Sequence, residues 1–464
     1  MRALPPGPPA PPIAQTARWL LAPVDFMESC RRRFGDTFSV RFLGFERPMV
    51  MLSDPAAIRA LYAQREQLLP PGRTLALRPI MGPRSLLLLE GEEHLERRRV
   101  MLPPFHGERM RGYEAAMAEI ARAEVERWPV GSELALQPRM RAITLEVILR
   151  VVFGVTDHDR LSRLRVLLPQ LLDGTSSISI SFRVLAARRL GRPTPLERFA
   201  ALVAEIDELL LADIASRRSC AVAGTDVLSL LLAARFEDGS AMSDRELRDQ
   251  LVTLLLAGHE TTATALAWTF DLLAHGPAAL ARLTEEIRAQ DDESYMRAVI
   301  AESLRLRPVV PMAGRRLAAE LEAGGFTLPA GTDVTPAIWL THTRADLYPE
   351  PYAFRPERFL ERAPPTYAWI PFGGGIRRCL GAAFAELEMR VVLRCVLERL
   401  DLASSRPAER VQRRNITFAP RRGSRVRLLR PRYSASVGSR PRSSSSASTR
   451  GSAATVRRQE PSAP

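Results

Sequence analysis

The sequence predicts a mainly α-helical single domain with small β-sheets, and three observations predict it. Helical apolar periodicity dominates about 250 residues after Pro55. One helix, from Ser243 to His275, carries both a start and a stop signal and is long enough to cross a whole domain. Strand-like alternation is confined to short pieces before Pro55 and after Pro308. With 464 residues, 46% hydrophobic and 25% charged, the chain can bury a large core, which excludes disordered and fibrous classes.

Residues 1–12 form a Pro-rich leader. Its "LPPGPPAPP" is stiff and extended, because proline removes a backbone donor and restricts the residue before it. "FSVRF" and "PMVML" flank the turn-like "LGFER" and read as a hairpin. Ser53-Asp54-Pro55 then caps and starts a helix. In the long central helix Ser243 and Glu246 form a capping-box pair, Met242 and Leu247 can staple the entry, and Gly276-Pro277 ends it. Its length is roughly 48 Å at 1.5 Å per residue. Midway, the apolar run "LVTLLLA" is broken by "GHETT", where a core helix prefers leucine. Strand-like pieces return in "GFTLPAGTDVTPA", "NITFAP" and "RVRLL". The main domain spans 13–433, and the Ser/Arg/Ala-rich segment 434–464 is a low-complexity tail expected to be disordered.

A formal charge of +14 invites a nucleic-acid reading, but all 66 basic residues are arginine, which points to a bias acting along the whole chain. The tail carries Arg440, Arg442, Arg450, Arg457 and Arg458 against Glu460 alone. No basic stripe interleaved with aromatics is present, so nucleic acid is not the expected partner. The longest apolar stretch near the start, "WLLAPV", is far shorter than the ~20 residues of a membrane helix. The expectation is a cytoplasmic protein without a stable membrane anchor.

The four cysteines, Cys30, Cys220, Cys379 and Cys395, show no paired spacing. In "IPFGGGIRRCLGAAFAEL", Cys379 follows three glycines and precedes a helix-like run. It can be a buried structural thiol, a nucleophile or a metal ligand. Glycine-rich backbone can approach a large flat ligand closely, while Arg377, Arg378 and the positive end of the following helix favour a thiolate. No histidine base lies nearby in sequence, and no companion thiol sits at zinc-site spacing. A single thiolate bound to a cofactor metal fits better than either alternative. Cys395 falls on the apolar side of the final helix with Leu387 and Val391, which is core packing.

Phe372, Gly375, Arg377, Cys379 and Gly381 match F-x-x-G-x-R-x-C-x-G, and the chain here resembles the cytochrome P-450 family of haem-thiolate monooxygenases. "AGHETT", Ala257 to Thr262, is similar to that family's oxygen-activating segment, and Glu302-Ser303-Leu304-Arg305 to its E-x-x-R helix. "PEPYAFRPERF" is similar to the meander that follows, with Arg358 placed to join Glu302 and Arg305. The motifs come in family order, and the likeness covers roughly Leu4 to Pro431 and is greatest to soluble actinobacterial members. It implies a P-450-like fold in which the long helix crosses a haem b whose iron is bound by Cys379.

The resemblance also implies a buried triad of Glu302, Arg305 and Arg358 that serves assembly. Without it, Glu302 and Arg305 are an ordinary pair one turn apart. His94 and Arg98, four apart on one helix face, become donors to the haem propionates together with Arg315 and Arg377. Phe372, Gly373 and Gly381 belong to the cofactor loop. Whether His342 lies near the cofactor is left open, because Thr343 stands where an arginine commonly follows. Ala257 and Thr261, i and i+4, face the cofactor together, and a threonine there can turn its hydroxyl onto a carbonyl one turn back. Glu260 is the acid expected to relay protons to Thr261.

The function implied is monooxygenation: one oxygen atom enters an organic substrate and the other becomes water. Rivals are a haem-binding carrier or sensor, or a variant that uses peroxide, against which the intact Glu260 and Thr261 argue. No dinucleotide fingerprint lies outside the cysteine loop and no cysteine spacing holds an iron–sulfur cluster, so electrons come from elsewhere. A ferredoxin and ferredoxin reductase, fed by NADPH or NADH, are the expected donors. They would dock near the cysteine loop and the Arg97–Arg99 cluster of a monomer. "RSLLLL", "VVPMAG" and "NITFAP" would line an apolar pocket, so the substrate is expected to be a hydrophobic small molecule.

Overall fold

The structure, a computed structural model, describes residues 4–64, 68–69, 78–155, 157–174, 195–220 and 224–429. The expected tail lies outside them. In chain order the first elements are α1 (Pro12–Leu21), α2 (Pro23–Phe34), β1 (Thr37–Val40), β2 (Met49–Leu52), α3 (Pro55–Ala63) and β3 (Leu68–Leu69). Next come α4 (Arg78–Met81), α5 (Gly91–Met101), α6 (Arg109–Val125), β4 (Glu133–Ala135), α7 (Leu136–Val147), α8 (His158–Gly174), α9 (Pro195–Cys220) and α10 (Val227–Ala233). The central helix is α11 (Asp244–His275), followed by α12 (Pro277–Ala289) and α13 (Ser294–Leu306). Strands β5 (Arg315–Leu317), β6 (Leu321–Ala323), β7 (Phe326–Leu328) and β8 (Asp333–Pro336) precede α14 (Ile338–His342), α15 (Arg358–Glu361) and α16 (Ala382–Leu397). The chain closes with β9 (Asp401–Ser404), β10 (Val411–Arg414), β11 (Thr417–Pro420) and β12 (Arg425–Leu429).

The leader is extended and lies against β1, where Ser39 N–H donates to the Pro6 carbonyl at 2.9 Å. A Cβ at Gly7 would run into the Ser39 carbonyl, so glycine permits this approach. β1 and β2 form the expected antiparallel hairpin, with Phe38 opposite Met51. The rest of that sheet is non-local. β2 pairs in parallel with β8, β8 with β5 and β5 with β3, giving the order β1-β2-β8-β5-β3. A three-stranded sheet, β4-β12-β9, and two hairpins, β6–β7 and β10–β11, complete the strands among the described residues. Asp54 caps α3 by accepting from Ala57 N–H at 2.9 Å, with Pro55 in the first turn.

Helix α11 packs on α7, α13 and α16, and Leu247, Leu251, Leu255, Leu266, Phe270 and Leu273 enter the main core beside Phe384, Leu387 and Val391. Its capping box is present in full: Ser243 accepts from Glu246 N–H, and the Glu246 carboxylate accepts from Ser243 N–H at 2.8 Å. The same carboxylate binds Arg97 at 2.6 Å and Arg84 at 2.8 Å. Among the described residues no helix is long and apolar enough to cross a membrane.

Burial alone would raise the Glu246 carboxyl, but Ser243, Arg84 and Arg97 outweigh it and hold the group at about 2, below its ordinary 4.5. A depressed carboxyl stabilises the fold above the unfolded-state value, and that contribution is lost as pH falls through 4.5 toward 2. Glu246→Gln is therefore expected to lower stability by at least about 1 kcal/mol at pH 7. Urea unfolding should show the gap to wild type narrowing below pH 4.5; a gap independent of pH would mean that the charge does not contribute.

Candidate functional site

The centre of α11 is the anomaly in an otherwise buried helix. From Thr262 to Ala274 every residue is buried, whereas Ala257 is exposed and Gly258, Glu260 and Thr261 are half-buried. The helix opens on the face that the sequence singled out. Its backbone stays α-helical through "GHETT", and Thr261 Oγ1–H donates to the Ala257 carbonyl at 2.6 Å. His259 faces the other way. It is buried, with Nδ1 2.8 Å from the Thr144 hydroxyl of α7, and burial followed by the charge of Arg141 lowers it to about 3. It ties two helices together as a neutral ring. Glu260 reaches sideways to Arg141 of α7 at 2.6 Å, a partner 119 residues away in sequence.

The cysteine loop is built by backbone geometry. Gly373 and Gly375 have φ of 67° and 64°, in the left-handed region that side chains rarely adopt. A Cβ at Gly374 would come within 2.6 Å of the Tyr62 ring. Cys379 N–H donates to the Phe372 carbonyl at 2.9 Å and closes the loop; Gly381 is the N-cap residue of α16. The Cys379 thiol is exposed, yet protein atoms crowd round it. That enclosure raises its pKa, against the Gly381 N–H, Arg98 and Arg378, which lower it. The sequence expectation of a thiolate named the helping groups and left out the larger effect of burial. Only a bound metal ion would hold the group deprotonated outright.

Around this loop the structure gathers the four expected donors. His94 is 2% exposed with Nδ1 unpartnered, and Arg315 Nε and Arg377 Nε are buried without partners. Burial, then Arg377, Arg98 and Arg315, lower His94 to about 4; burial, then Arg315, lower Arg377 to about 10, with Arg98 adding to the effect. Among the described residues no carboxylate lies within ion-pair distance of Arg98, Arg315 or Arg377. Repelling cations with spare donors are stable only if an anion joins them. A flat ligand with two carboxylates fits this deficit, and haem b is such a ligand. Among the described residues no group of three or more His, Cys, Asp or Glu could hold an ion by themselves.

Behind the loop, Arg305 and Glu302 are both fully buried and form a two-pronged pair at 2.6 and 2.8 Å. Arg358 Nε donates to the same carboxylate at 3.0 Å, as does Arg355 N–H. Arg305 also donates to the carbonyls of His342 and Pro351, at 2.8 and 2.7 Å. His342, left open by the sequence, is fully buried and uses both ring nitrogens on backbone: Nδ1 lies 3.1 Å from the Arg305 carbonyl, and Nε2 accepts from Ile370 N–H at 2.8 Å. It joins the end of α13 to the start of the cysteine loop and offers nothing to a cofactor. Cys30 and Cys395 are buried thiols of the core.

The expected docking cluster needs correction. Arg97 is buried; it binds Glu246 and Glu96 and lies 4.2 Å from the Phe236 ring centre, so it cannot face a partner. Arg99 is exposed but held by Glu237. Arg378 is exposed and has no ion partner among the described residues. Sequence reasoning missed two groups. Arg141 carries no motif, since its role comes only from Glu260 beside it. Glu388 is 2% exposed in α16, and burial pushes its carboxyl up to about 8 against the Thr262 hydroxyl. A glutamate amid Leu387, Val391 and Val392 is the signal that could have found it.

A closed glycine loop that presents Cys379 near arginines and a histidine short of anions is the arrangement expected of a haem-thiolate site. The chain belongs to the cytochrome P-450 family, whose model matches residues 5–424. It is 42% identical over 436 residues to cytochrome P-450 135B1 of Mycobacterium tuberculosis, covering 92% of this chain and 91% of that one. To cytochrome P-450 137 of the same organism it is 39% identical over 435 residues, 91% of each. Its fold matches the solved retinoic acid-bound cyanobacterial CYP120A1 with a TM-score of 0.80 at 28% identity, over 93% of this chain and 100% of that one. The protein is thus an oxidoreductase of the haem-thiolate monooxygenase family, in which a cysteine binds the haem iron.

Proposed function

We propose that the protein inserts one oxygen atom from dioxygen into a hydrophobic small organic molecule, with Cys379 as the thiolate ligand of haem b. The observation that carries this is the His94, Arg98, Arg315 and Arg377 cluster, short of negative charge, with Arg98 near the Cys379 thiol. Bound haem supplies the activation of dioxygen, which side chains alone cannot provide. His94 and the three arginines would hold the propionates by charge-assisted hydrogen bonds. Phe372, Gly373, Gly375 and Gly381 would let the loop backbone approach a bound ring, and Ala257 is a small, exposed side chain on the open face of α11. The Thr261 hydroxyl holds a proton at the open face of α11, and Glu260 supplies protons from the side of Arg141.

Thr261→Ala keeps the helix and the ligand, so folding and the spectrum should survive. Product per NADPH should fall severalfold as reducing equivalents are diverted to hydrogen peroxide. Glu260→Gln should instead slow turnover by about a hundredfold. Unchanged coupling in the first and unchanged rate in the second would place proton delivery on other residues.

The segments expected to line the pocket keep apolar side chains within reach of a ligand: Leu87 and Ile416 are exposed, while Met312 and Ala313 are half-buried. Retinoic acid, the ligand of a solved relative, is a reasonable first compound in a screen for spectral shifts of the ferric protein. NADPH-dependent product with surrogate redox proteins would support an enzyme; tight binding without product would support a carrier or sensor. Electrons arrive from an acidic ferredoxin, reduced by its reductase and docking on the monomer's cationic face around Arg378 and Arg297, near which Glu386 is raised by burial and opposed by both. Reduction should slow by about tenfold between low and high salt and slow further in Arg378→Glu. Rates indifferent to salt would exclude this face.

A further inference from the structure

Two of the hollows on the described residues differ in charge. One, of about 320 Å³, is lined by Glu96, Arg99, Arg235 and Glu237 and is balanced. The other, of about 400 Å³, lies between the start of α7 and the β10–β11 hairpin with the turn that follows. Gln137, Arg141, Gln412, Arg414, Arg421 and Arg422 line it, and no carboxylate does. In a chain this rich in arginine a cationic rim says little by itself; the balanced hollow shows that the excess here is local.

The partners of these arginines sharpen the point. Arg422 is 3.6 Å from Glu409, and Arg421 is exposed with no ion partner among the described residues. Arg141 spends one end on Glu260 at 2.6 Å, while its Nε is buried with no partner. The hollow therefore has spare charge-assisted donors, and one of its walls is the cation that holds Glu260.

We propose that this hollow binds a small oxyanion, a phosphate or the carboxylate of a small organic acid, on Arg141, Arg421 and Arg422, and that the occupant competes with Glu260 for Arg141. The competition draws the guanidinium outward and frees the Glu260 carboxylate. Only this consequence rests on the proton-supply reading of Glu260; anion binding itself does not.

The test is the thermal unfolding midpoint of the haem-loaded full chain, titrated with inorganic phosphate, with acetate or with chloride at constant ionic strength and pH. A ligand of the folded state raises the midpoint saturably, which yields its affinity. Phosphate or acetate, whichever is the better ligand, should do so, and chloride should not. Arg421→Glu alters an exposed side chain without an ion partner, so its carbonyl spectrum should be unchanged while oxyanion affinity falls by about tenfold or more. Glu260→Gln leaves Arg141 without its rival and should tighten binding by about threefold or more. An equal response to chloride, or full affinity in Arg421→Glu, overturns the site. Unaltered affinity in Glu260→Gln overturns the competition and leaves the site standing. Normal turnover in Glu260→Gln with intact phosphate binding would refute the proton role alone.

Discussion

Cys379→Ser should abolish the strongly red-shifted Soret band that the reduced protein gives with carbon monoxide, while Cys395→Ser keeps it. The contrast follows from surroundings. Cys379 is exposed, closed into its loop by the Phe372 carbonyl and preceded by two glycines at positive φ. Cys395 is 2% exposed among Val391, Val392 and Val396, with its sulfur 3.8 Å from the Ala118 carbonyl. Serine at 379 changes one atom, so the loop should still close and the arginine and histidine cluster should still attract the propionates. The expected product is a folded protein that holds haem weakly or through another ligand, with a carbonyl band at the ordinary position. A red-shifted band in Cys379→Ser would remove this cysteine from the metal.

The second large effect is expected at the triad. Glu302→Gln leaves Arg305, fully buried, and Arg358 facing a neutral amide, and Arg355 N–H keeps only a weaker acceptor. Breaking a buried pair from one side costs about 3–5 kcal/mol, because the remaining charge stays desolvated. Arg305→Lys should also fail, because a point charge cannot make the two-pronged contact while also reaching the His342 and Pro351 carbonyls. Urea unfolding, with carbonyl-band retention as a second readout, checks both. Arg362→Lys, an exposed neighbour, serves as the control. A loss within about 0.5 kcal/mol would reduce Glu302 and Arg305 to the ordinary pair that their spacing alone suggests. Because His342 joins this node to Ile370, loosening it should also loosen the entry to the cysteine loop.

Features whose cause lies within a few residues were legible beforehand. The Ser243 and Glu246 capping box, the Asp54 cap, the Gly276 stop and the β1–β2 hairpin all follow from local backbone needs. The loop from Phe372 to Gly381 was legible for the same reason, since glycine at positive φ is a local requirement. Spacing also put His94 and Arg98 on one face.

Tertiary structure alone decided which charged group meets which. Arg97 and Arg98 are adjacent and chemically identical, yet helical rotation sends one to Glu246, 149 residues on, and the other toward Cys379. Glu260 was visible as a polar break, but its partner Arg141 comes from a helix that only the packed fold lays beside it. His342, whose place the sequence left open, bridges two backbone segments, because both of its nitrogens find partners that the sequence could not show. The cysteine's own acidity divides in the same way: its helping groups are neighbours in sequence, whereas the burial that outweighs them comes from the assembled fold. Backbone conformation obeys short-range sterics and is written locally. The pairing of charges and the extent of burial depend on distances between remote segments, and only the folded chain sets those.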